Sequence, residues 1–583
     1  WCDVVWCGVL SWCGGVVWCG VVFCFVVVVV YVFCSPGVLF AGHGNLSLEF
    51  CEIMVDNQTK CQRFSGYENT GVVDVHIIDD SVAHTQHTLQ AFGTWHGFQY
   101  IIVTTTADLK FTATIDDITA VWTGSNLKET AAIQFYGGNG SAVLSSIRDI
   151  VVRGQRSNFA SFLPTDCPTR EKHAWLGDAL DSVGEAMFNF FTPTVYELFL
   201  QQIVDGQALV KPQPLMDGYI PVVVPCHGGV DAASSDLSWT SGFVMIAKHL
   251  VDHFGTTRAA HTHWTSMKLW VDGQLANAST KSQDGVLPDY ATYGDLREPG
   301  GGRQDHETGH AAAASNFIMV LDAMVAMAPI VNDTTAQTRY QQTATHLRDV
   351  YATRFWNSTM KAFTSSATAI QTVNSISRAA GVGSAEQQQS ADTTLLNDVN
   401  ARKNMTVGSI GSKYLLDQLS EMPGSKGVDA AVMLATRVDY PSWGFWISQG
   451  ATTCWEDWRA TPTAGSHNHI WMCGGVGEWL YKKLAGIENG GRGFKHIRIR
   501  PIVTSTLGPA RASATVNTVR GDVSVSWCRP SVQDLVNIKN NVNGNVDINM
   551  AIYNVTMNNM TINNNWTATR TLMLNVTAPR VSD

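Results

Sequence analysis

Around residues 72–78, 98–104 and 111–121 the chain is rich in β-branched and aromatic side chains punctuated by polar turns, the pattern of strands half-buried in a sandwich. From about residue 127 the period changes. Leu144, Ile147 and Val151 recur at helical spacing, and Leu176, Leu180, Val183, Met187 and Phe190 mark one buried face. Phe243, Ala247, Leu250 and Phe254 end against Gly255, while Phe317, Leu321, Met324 and Met327 stop before Pro329. Tyr340, Leu347, Tyr351 and Phe355 continue the series, as do Val476, Trp479, Leu480 and Leu484. So many amphipathic helices over roughly 360 residues suit a toroid whose inner helices bury two faces. Periodicity alone fits an open solenoid equally well. After residue 486 alternation returns at 494–501, 522–527 and 546–555, followed by an Asn-rich, low-complexity stretch over 537–565. The expected division is a hydrophobic lead (1–42), an N-terminal β-sandwich (43–125), a helical catalytic domain (126–487) and a C-terminal β-sandwich (488–583).

The lead changes this picture. Residues 21–33 are almost unbroken apolar sequence and Asp3 is the single charge before residue 41, enough to cross a bilayer. With no basic stretch before it, the lead reads as a signal sequence, a membrane anchor at the N-terminus, or sequence upstream of the native start. It is expected to stand apart from the sandwich that follows. Eleven Asn-X-Ser/Thr sequons fit a secretory route, with the catalytic part secreted, anchored outside the cytoplasm or in the endomembrane lumen. Of 13 cysteines, six lie in the lead; Cys51 and Cys61 are near enough to pair, and Cys167, Cys226, Cys454, Cys473 and Cys528 lack metal-ligand spacing. A net charge of -10 argues against a nucleic-acid partner, because there is no basic excess to displace phosphate counterions. The 19 tryptophans favour sugar stacking only weakly, since most Trp serve cores.

The densest chemistry lies over residues 164–178. Pro164 and Pro168 remove backbone donors and disfavour helix before them, so Asp166 to Arg170 is a shaped loop opening onto the helix that follows. It gathers Asp166, Arg170, Glu171, Trp175 and Asp178 at that helix's start, with Asp178 in the first turn, where a carboxylate suits the dipole. Carboxylates and Arg bind neighbouring hydroxyls in fixed directions, Trp covers an apolar sugar face, and a protonated carboxyl serves as general acid. A helix start decorated with surface ion pairs explains the same residues. Farther on, Glu456 lies between Trp455 and Trp458, a setting that keeps a carboxylate off solvent and near neutral pH. Here too a helix-start charge is the plain alternative.

Asp-Cys-Pro-Thr-Arg-Glu (166–171), followed by Trp175 and Asp178, resembles the signature of the inverting α-L-rhamnosidases of glycoside hydrolase family 78, and the likeness covers about residues 70 to 510. It implies an (α/α)6 barrel flanked by β-sandwiches, with Glu171 as general acid. Gly-Ala-Thr-Thr-Cys-Trp-Glu-Asp-Trp (450–458) resembles the family's second motif and makes Glu456 the general base; Ser466-His467-Asn468-His469 makes His469 a sugar ligand. Trp95-His96-Gly97-Phe98 resembles the strand preceding the catalytic domain in the family. Ser238-Trp239-Thr240-Ser241 resembles Ala-Trp-Gly-Asp, making Trp239 a pocket wall with Ser241 in place of the usual Asp. Tyr293-Gly294-Asp295-Leu296 resembles Tyr-Gly-Asp-Trp, with Leu296 where an aromatic is usual. Through the resemblance, Asp166, Arg170, Trp175, Asp178, Trp239, Asp295 and His469 bind rhamnose. The substrate implied is a rhamnose-containing glycoside, oligosaccharide or polysaccharide, and the chemistry requires no metal or other cofactor.

An inverting pair stands roughly 6.5–9.5 Å apart to admit a water. Glu171 is then expected to hold its proton near neutrality and Glu456 to be ionised. The altered Ser241 and Leu296 fit two other readings: a secreted carbohydrate-binding pseudoenzyme, or a glycosidase of another specificity on the same fold.

Overall fold

The computed structural model describes residues 9–13, 16–20, 26–33, 39–55, 60–62, 72–79, 88–90, 93–106, 108–112, 118–159, 163–209, 218–225, 236–282, 284–290, 293–300, 306–364, 370–461, 464–504, 507–529, 550–557, 560–567 and 572–575. Cys226, Asn57 and Asn559 lie outside them.

Twelve helices of nine residues or more occur among the described residues: α1 Ser141–Ser157, α2 Leu176–Asn189, α3 Pro193–Leu209, α4 Gly242–Phe254, α5 Arg258–Lys281, α6 His306–Met327, α7 Thr334–Phe355, α8 Ile370–Ala379, α9 Ala385–Arg402, α10 Ser409–Ser420, α11 Lys426–Ala435 and α12 Trp471–Trp479. The even-numbered helices form a ring in which α2 packs on α4, α4 on α6, α6 on α8, α8 on α10, α10 on α12 and α12 back on α2. The ring closes. This is an (α/α)6 barrel, not a solenoid. Outside it α3 and α5 lie on α4, α7 on α6, α9 on α8, α11 on α10, and α1 on α12.

Sequence separates the two rings. Every residue of α2 is buried, because an inner helix meets neighbours on all sides. The outer α7 buries only a stripe, Ala336, Tyr340, Ala344, Leu347, Tyr351 and Phe355, and turns polar residues to solvent. Helix α4 stops where Gly255 takes a left-handed φ of 72°.

Two sheets precede the barrel. One has the strand order Val9–Cys13, Val16–Gly20, Tyr100–Thr105, Gly44–Cys51, Val73–Ile78; in the other Val26–Phe33 lies between His96–Phe98 and Ile118–Trp122 and also pairs with Thr88–Gln90. The expectation that residues 1–42 stand apart from the sandwich is therefore corrected, since Val26 to Val30 belong to a strand within it. Valine is β-branched, and an unbroken run of it suits a doubly paired central strand as well as a membrane span.

The C-terminal sheet begins before the barrel. Its order is Ala131–Gly138, Pro509–Thr518, Gly521–Cys528, Met550–Met557, Met560–Thr567, and a smaller sheet joins Ile487–Asn489, His496–Ile499 and Leu572–Asn575. Residues 131–138, read above as the start of the helical region, alternate instead: Ala131, Ile133 and Phe135 are buried while Ala132, Gln134 and Tyr136 are exposed.

The N-terminal sandwich is docked on the 166–173 loop. Gly97 N–H donates to Pro168 O (3.1 Å), Thr169 Oγ1 to Gly97 O (2.6 Å) and Lys172 Nζ to Trp95 O (2.6 Å). A side chain at Gly97 would come within 2.6 Å of the Pro168 ring, so the approach requires glycine.

Candidate active site

The 166–173 loop is a tight return. Asp166 exchanges bonds with His173, its N–H donating to His173 O (2.8 Å) and its Oδ1 accepting His173 N–H (2.9 Å), and Lys172 turns the chain with φ 58°. Arg170 and Glu171 thereby project from the loop tip toward the end of the barrel where α2 starts.

The second motif meets them there. Glu456 N–H donates to Ser466 O (2.9 Å) and His469 N–H to Cys454 O (2.8 Å), so 454–456 and 466–469 run side by side, tied by the Cys454–Cys473 disulfide. Arg170 Nη2 lies 2.9 Å from Glu171 Oε1 and 3.0 Å from Glu456 Oε2. One nitrogen thus bridges two carboxylates 285 positions apart in the chain.

They border a cavity of about 150 Å³ lined by Asp166, Arg170, Glu171, Trp175, Asp178, Trp239, Tyr293, Leu296, Arg297, Glu456, His469 and Trp471. Trp175 Nε1 donates to Glu171 Oε2 (3.0 Å), and the Trp175 and Trp239 rings pack on Tyr293 with centroids 5.9 and 4.9 Å away. Asp236 fixes this aromatic wall from behind, its Oδ1 accepting Ser238 N–H (2.8 Å) and its Oδ2 accepting Tyr293 N–H (2.8 Å). Gly177 lets α2 approach it, because a Cβ there would sit 2.5 Å from the Trp239 ring. His469 Nε2 lies 3.4 Å from Asp178 Oδ1. His469 Nδ1 and Asp178 Oδ1 have no hydrogen-bond partner among the described residues.

Of the residues that the resemblance assigns to catalysis or rhamnose binding, Asp295 alone is elsewhere. It is fully buried and accepts Gly408 N–H (2.9 Å), Gly411 N–H (3.0 Å) and the Thr372 hydroxyl, holding the start of α10. The free N–H groups of a helix start are natural partners for a carboxylate, and they occupy both oxygens of this one. Ser241 is buried too and does not line the cavity. Trp455 and Trp458 do not flank Glu456 within the pocket either: Trp455 stacks on His467, and Trp458 packs against Trp443 and Trp446 in the core.

Arg297, Trp471 and Glu52 escaped the sequence reading. Arg297 adopts φ 67°, rare for a side chain of its size, and its Nη2 reaches Glu456 Oε1 at 2.5 Å. Its signal was adjacency, one residue beyond Tyr293-Gly294-Asp295-Leu296. Trp471, two residues after His469, donates from Nε1 to Glu456 O (3.1 Å). Glu52 sits in a strand-like stretch that carried no hint of a site.

Proton affinities differ from those expected. Burial pushes Glu456 up, but Arg170, His469, Arg297 and the Ser466 N–H outweigh it and bring it down to about 2, well below neutrality. Burial also raises Glu171, yet Arg170 and hydrogen bonds with Asp166 and Trp175 draw it below the ordinary carboxylate range. Its neighbour shifts the other way: burial, with the charges of Glu171 and Asp178 close by, pushes Asp166 well above that range. The expectation that Glu171 holds its proton near neutrality meets an acidic pair in which Arg170 favours the charged form of Glu171 and burial favours the protonated form of Asp166. Burial also holds His469 neutral, with its pKa lowered to about 4.

The carboxylate gap is also narrower than expected. Because both reach the same Arg170 nitrogen, Glu171 Oε1 and Glu456 Oε2 stand no more than about 6 Å apart, short of the roughly 6.5–9.5 Å expected between the carboxyl groups of an inverting pair. The bridging guanidinium draws these two atoms together.

Residues 140–484 match the family model of the bacterial alpha-L-rhamnosidase 6 hairpin glycosidase domain, and residues 486–560 that of the bacterial alpha-L-rhamnosidase C-terminal domain. The chain is 27% identical over 449 residues to an alpha-L-rhamnosidase of Formosa agariphila, covering 74% of this chain and 45% of that protein. To one of Streptomyces avermitilis it is 26% identical over 452 residues, covering 76% and 40%. It thus spans less than half the length of these curated relatives. Among solved structures it resembles the alpha-L-rhamnosidase from Dictyoglumus thermophilum, with a TM-score of 0.78 at 22% identity over 94% of this chain and 56% of that one. The Streptomyces avermitilis alpha-L-rhamnosidase complexed with L-rhamnose gives 0.74 at 21% identity, over 94% and 48%. At such identities the structural likeness speaks for the fold.

Proposed function

This chain belongs to the bacterial alpha-L-rhamnosidase six-hairpin glycosidase family, and from that premise we propose that it releases terminal α-L-rhamnose from glycosides by hydrolysis with inversion. The observation that carries the proposal is the single Arg170 nitrogen joining Glu171 and Glu456 on the wall of one aromatic-sided cavity.

Glu171 is the general acid. Its proton comes from the pair it forms with Asp166, and it passes that proton to the departing glycosidic oxygen while Asp166 remains hydrogen-bonded to it. Glu456, ionised and held by three N–H donors, is the base that takes a proton from the attacking water. Arg170 occupies the space between the carboxylates, and inversion asks that it turn toward sugar hydroxyls and leave that space to the water. Trp175, Trp239 and Tyr293 cover the apolar ring face and methyl group, while Asp178 and His469 meet the hydroxyls. A volume well below the roughly 300–1,000 Å³ of common ligand pockets supports one terminal sugar rather than a threaded chain.

Two disulfides, Cys51–Cys61 and Cys454–Cys473, support a site of action outside the cytoplasm. The sequon asparagines Asn45, Asn139, Asn277, Asn332, Asn357 and Asn404 support glycosylation, none of them being buried.

An aryl α-L-rhamnoside, assayed beside other aryl glycosides, tests specificity, and the proton NMR spectrum of the first sugar released tests stereochemistry. The expected product is β-L-rhamnose. Turnover of a different aryl glycoside in its place, turnover of none, or α-L-rhamnose as first product would each overturn the corresponding part of the proposal.

A further inference from the structure

Glu52 is a carboxylate of the N-terminal sandwich, 2% exposed, directly after the strand Gly44–Cys51 whose last residue is bonded to Cys61. It does not line the cavity. Both of its oxygens accept the Ser466 hydroxyl, at 2.8 and 3.0 Å, and Oε2 also accepts His467 N–H at 2.8 Å. Ser466 is the residue that frames the proposed base: its N–H donates to Glu456 Oε2 (2.7 Å) and its carbonyl accepts Glu456 N–H (2.9 Å). Three residues on, the same loop carries His469 into the cavity.

Burying an acid is expensive unless it is fully hydrogen-bonded, and Glu52 places its bonds on the barrel domain, on Ser466 and His467 with Thr169 beside them. A neutral residue would dock the sandwich at lower cost, as Gly97 already does through Pro168 and Thr169. We infer that Glu52 is a positioning residue for the reaction, a strut from the N-terminal sandwich that acts through Ser466 to hold Glu456 and His469 in place. The sandwich thereby forms part of the active site without touching substrate. This rests on the functional reading above as far as rates are concerned; the geometry of the strut does not.

Glu52→Gln is nearly isosteric but turns an NH2 group toward Ser466 or His467, both of which donate to the native carboxylate. Misplacement of the base should lower kcat on an aryl α-L-rhamnoside by on the order of tenfold to a hundredfold, with KM changed less than about twofold. Ser466→Ala should cause a similar loss, and the double variant should be no worse than the more impaired single one, because both break the same strut. Hydrogen exchange read by mass spectrometry supplies a measurement independent of turnover. In Glu52→Gln, exchange over residues 464–470 should accelerate while α2 and α6 keep wild-type protection. Unchanged exchange there, or additive losses in the double variant, would overturn the inference, as would a rate loss matched by general loss of protection across the barrel. If wild-type protein cleaves no rhamnoside, the functional reading fails alone and the exchange result still decides the role of Glu52. Should Glu52→Gln fail to fold, Ser466→Ala carries the same exchange test.

Discussion

Asp166 and Glu171, two acids five residues apart, meet opposite surroundings. Asp166 is sealed under the loop with its oxygens turned to His173 N–H and Cys167 Sγ, while Glu171 reaches the guanidinium of Arg170. The pH consequence has a definite sign. The proton required for leaving-group departure is present below the upper pKa of the pair, so kcat/KM falls as pH rises through it. Asp166→Asn removes the paired acid and leaves Glu171 to titrate alone beside Arg170, which favours its charged form. The alkaline limb of kcat/KM should then move to lower pH by about one unit or more. A pH–rate profile with that limb unmoved would assign the limb to some other group. Much of this residue-level arrangement was legible in the sequence, because Asp166, Arg170, Glu171, Trp175 and Asp178 lie within one loop and the first turn of one helix. The opposite proton affinities of the two acids were not, since they depend on Arg170 and Glu456, and their meeting requires the closed ring.

Helix ends account for Asp295. A carboxylate between Gly294 and Leu296 in a motif full of sugar-binding neighbours reads as a ligand, yet its two oxygens hold the N–H groups that open α10 and the Thr372 hydroxyl of α8. Asp295→Ala should therefore destabilise the fold by about 1–3 kcal/mol, the cost of leaving buried donors unpaired. Denaturant unfolding measures this, and rhamnose affinity of the folded fraction should stay within a few-fold of wild type. A large loss of affinity at unchanged stability would return Asp295 to the sugar. Helices were the most legible elements, because inner members such as α2 and outer ones such as α7 both keep a 3.6-residue period even though one is buried all round. Short strands were less so. Ala131–Gly138 precedes a helix directly and ends in two glycines, and only its partner, hundreds of residues later, makes its alternation meaningful.

At the scale of the molecule, each sandwich is bound to the barrel by more than surface contact. The N-terminal one supports both carboxylate loops, through Gly97 and Lys172 on one side and Glu52 on the other. The C-terminal one takes its first strand from ahead of α1 and its second from beyond α12, Ala131 facing Val516 and Phe135 facing Ala512. Truncation after residue 487 should therefore yield no soluble barrel, since it strips Ala131–Gly138 of its partner and leaves Ile133 and Phe135 on an open edge. Expression of that fragment with a sedimentation assay checks it, and a monodisperse fragment with native helix content would show the clasp to be dispensable.

The same pairing sets a timetable for the chain's birth. Strand 131–138 leaves the ribosome nearly four hundred residues before the strand that covers it, a wait on the order of tens of seconds at ordinary elongation rates. Through that interval the helices accumulate as an unclosed arc, and the nascent chain carries an apolar edge in search of a mate. Any chaperone that attends this protein during synthesis should find its longest-lived client surface there, and should be dismissed only when residues 509–518 emerge.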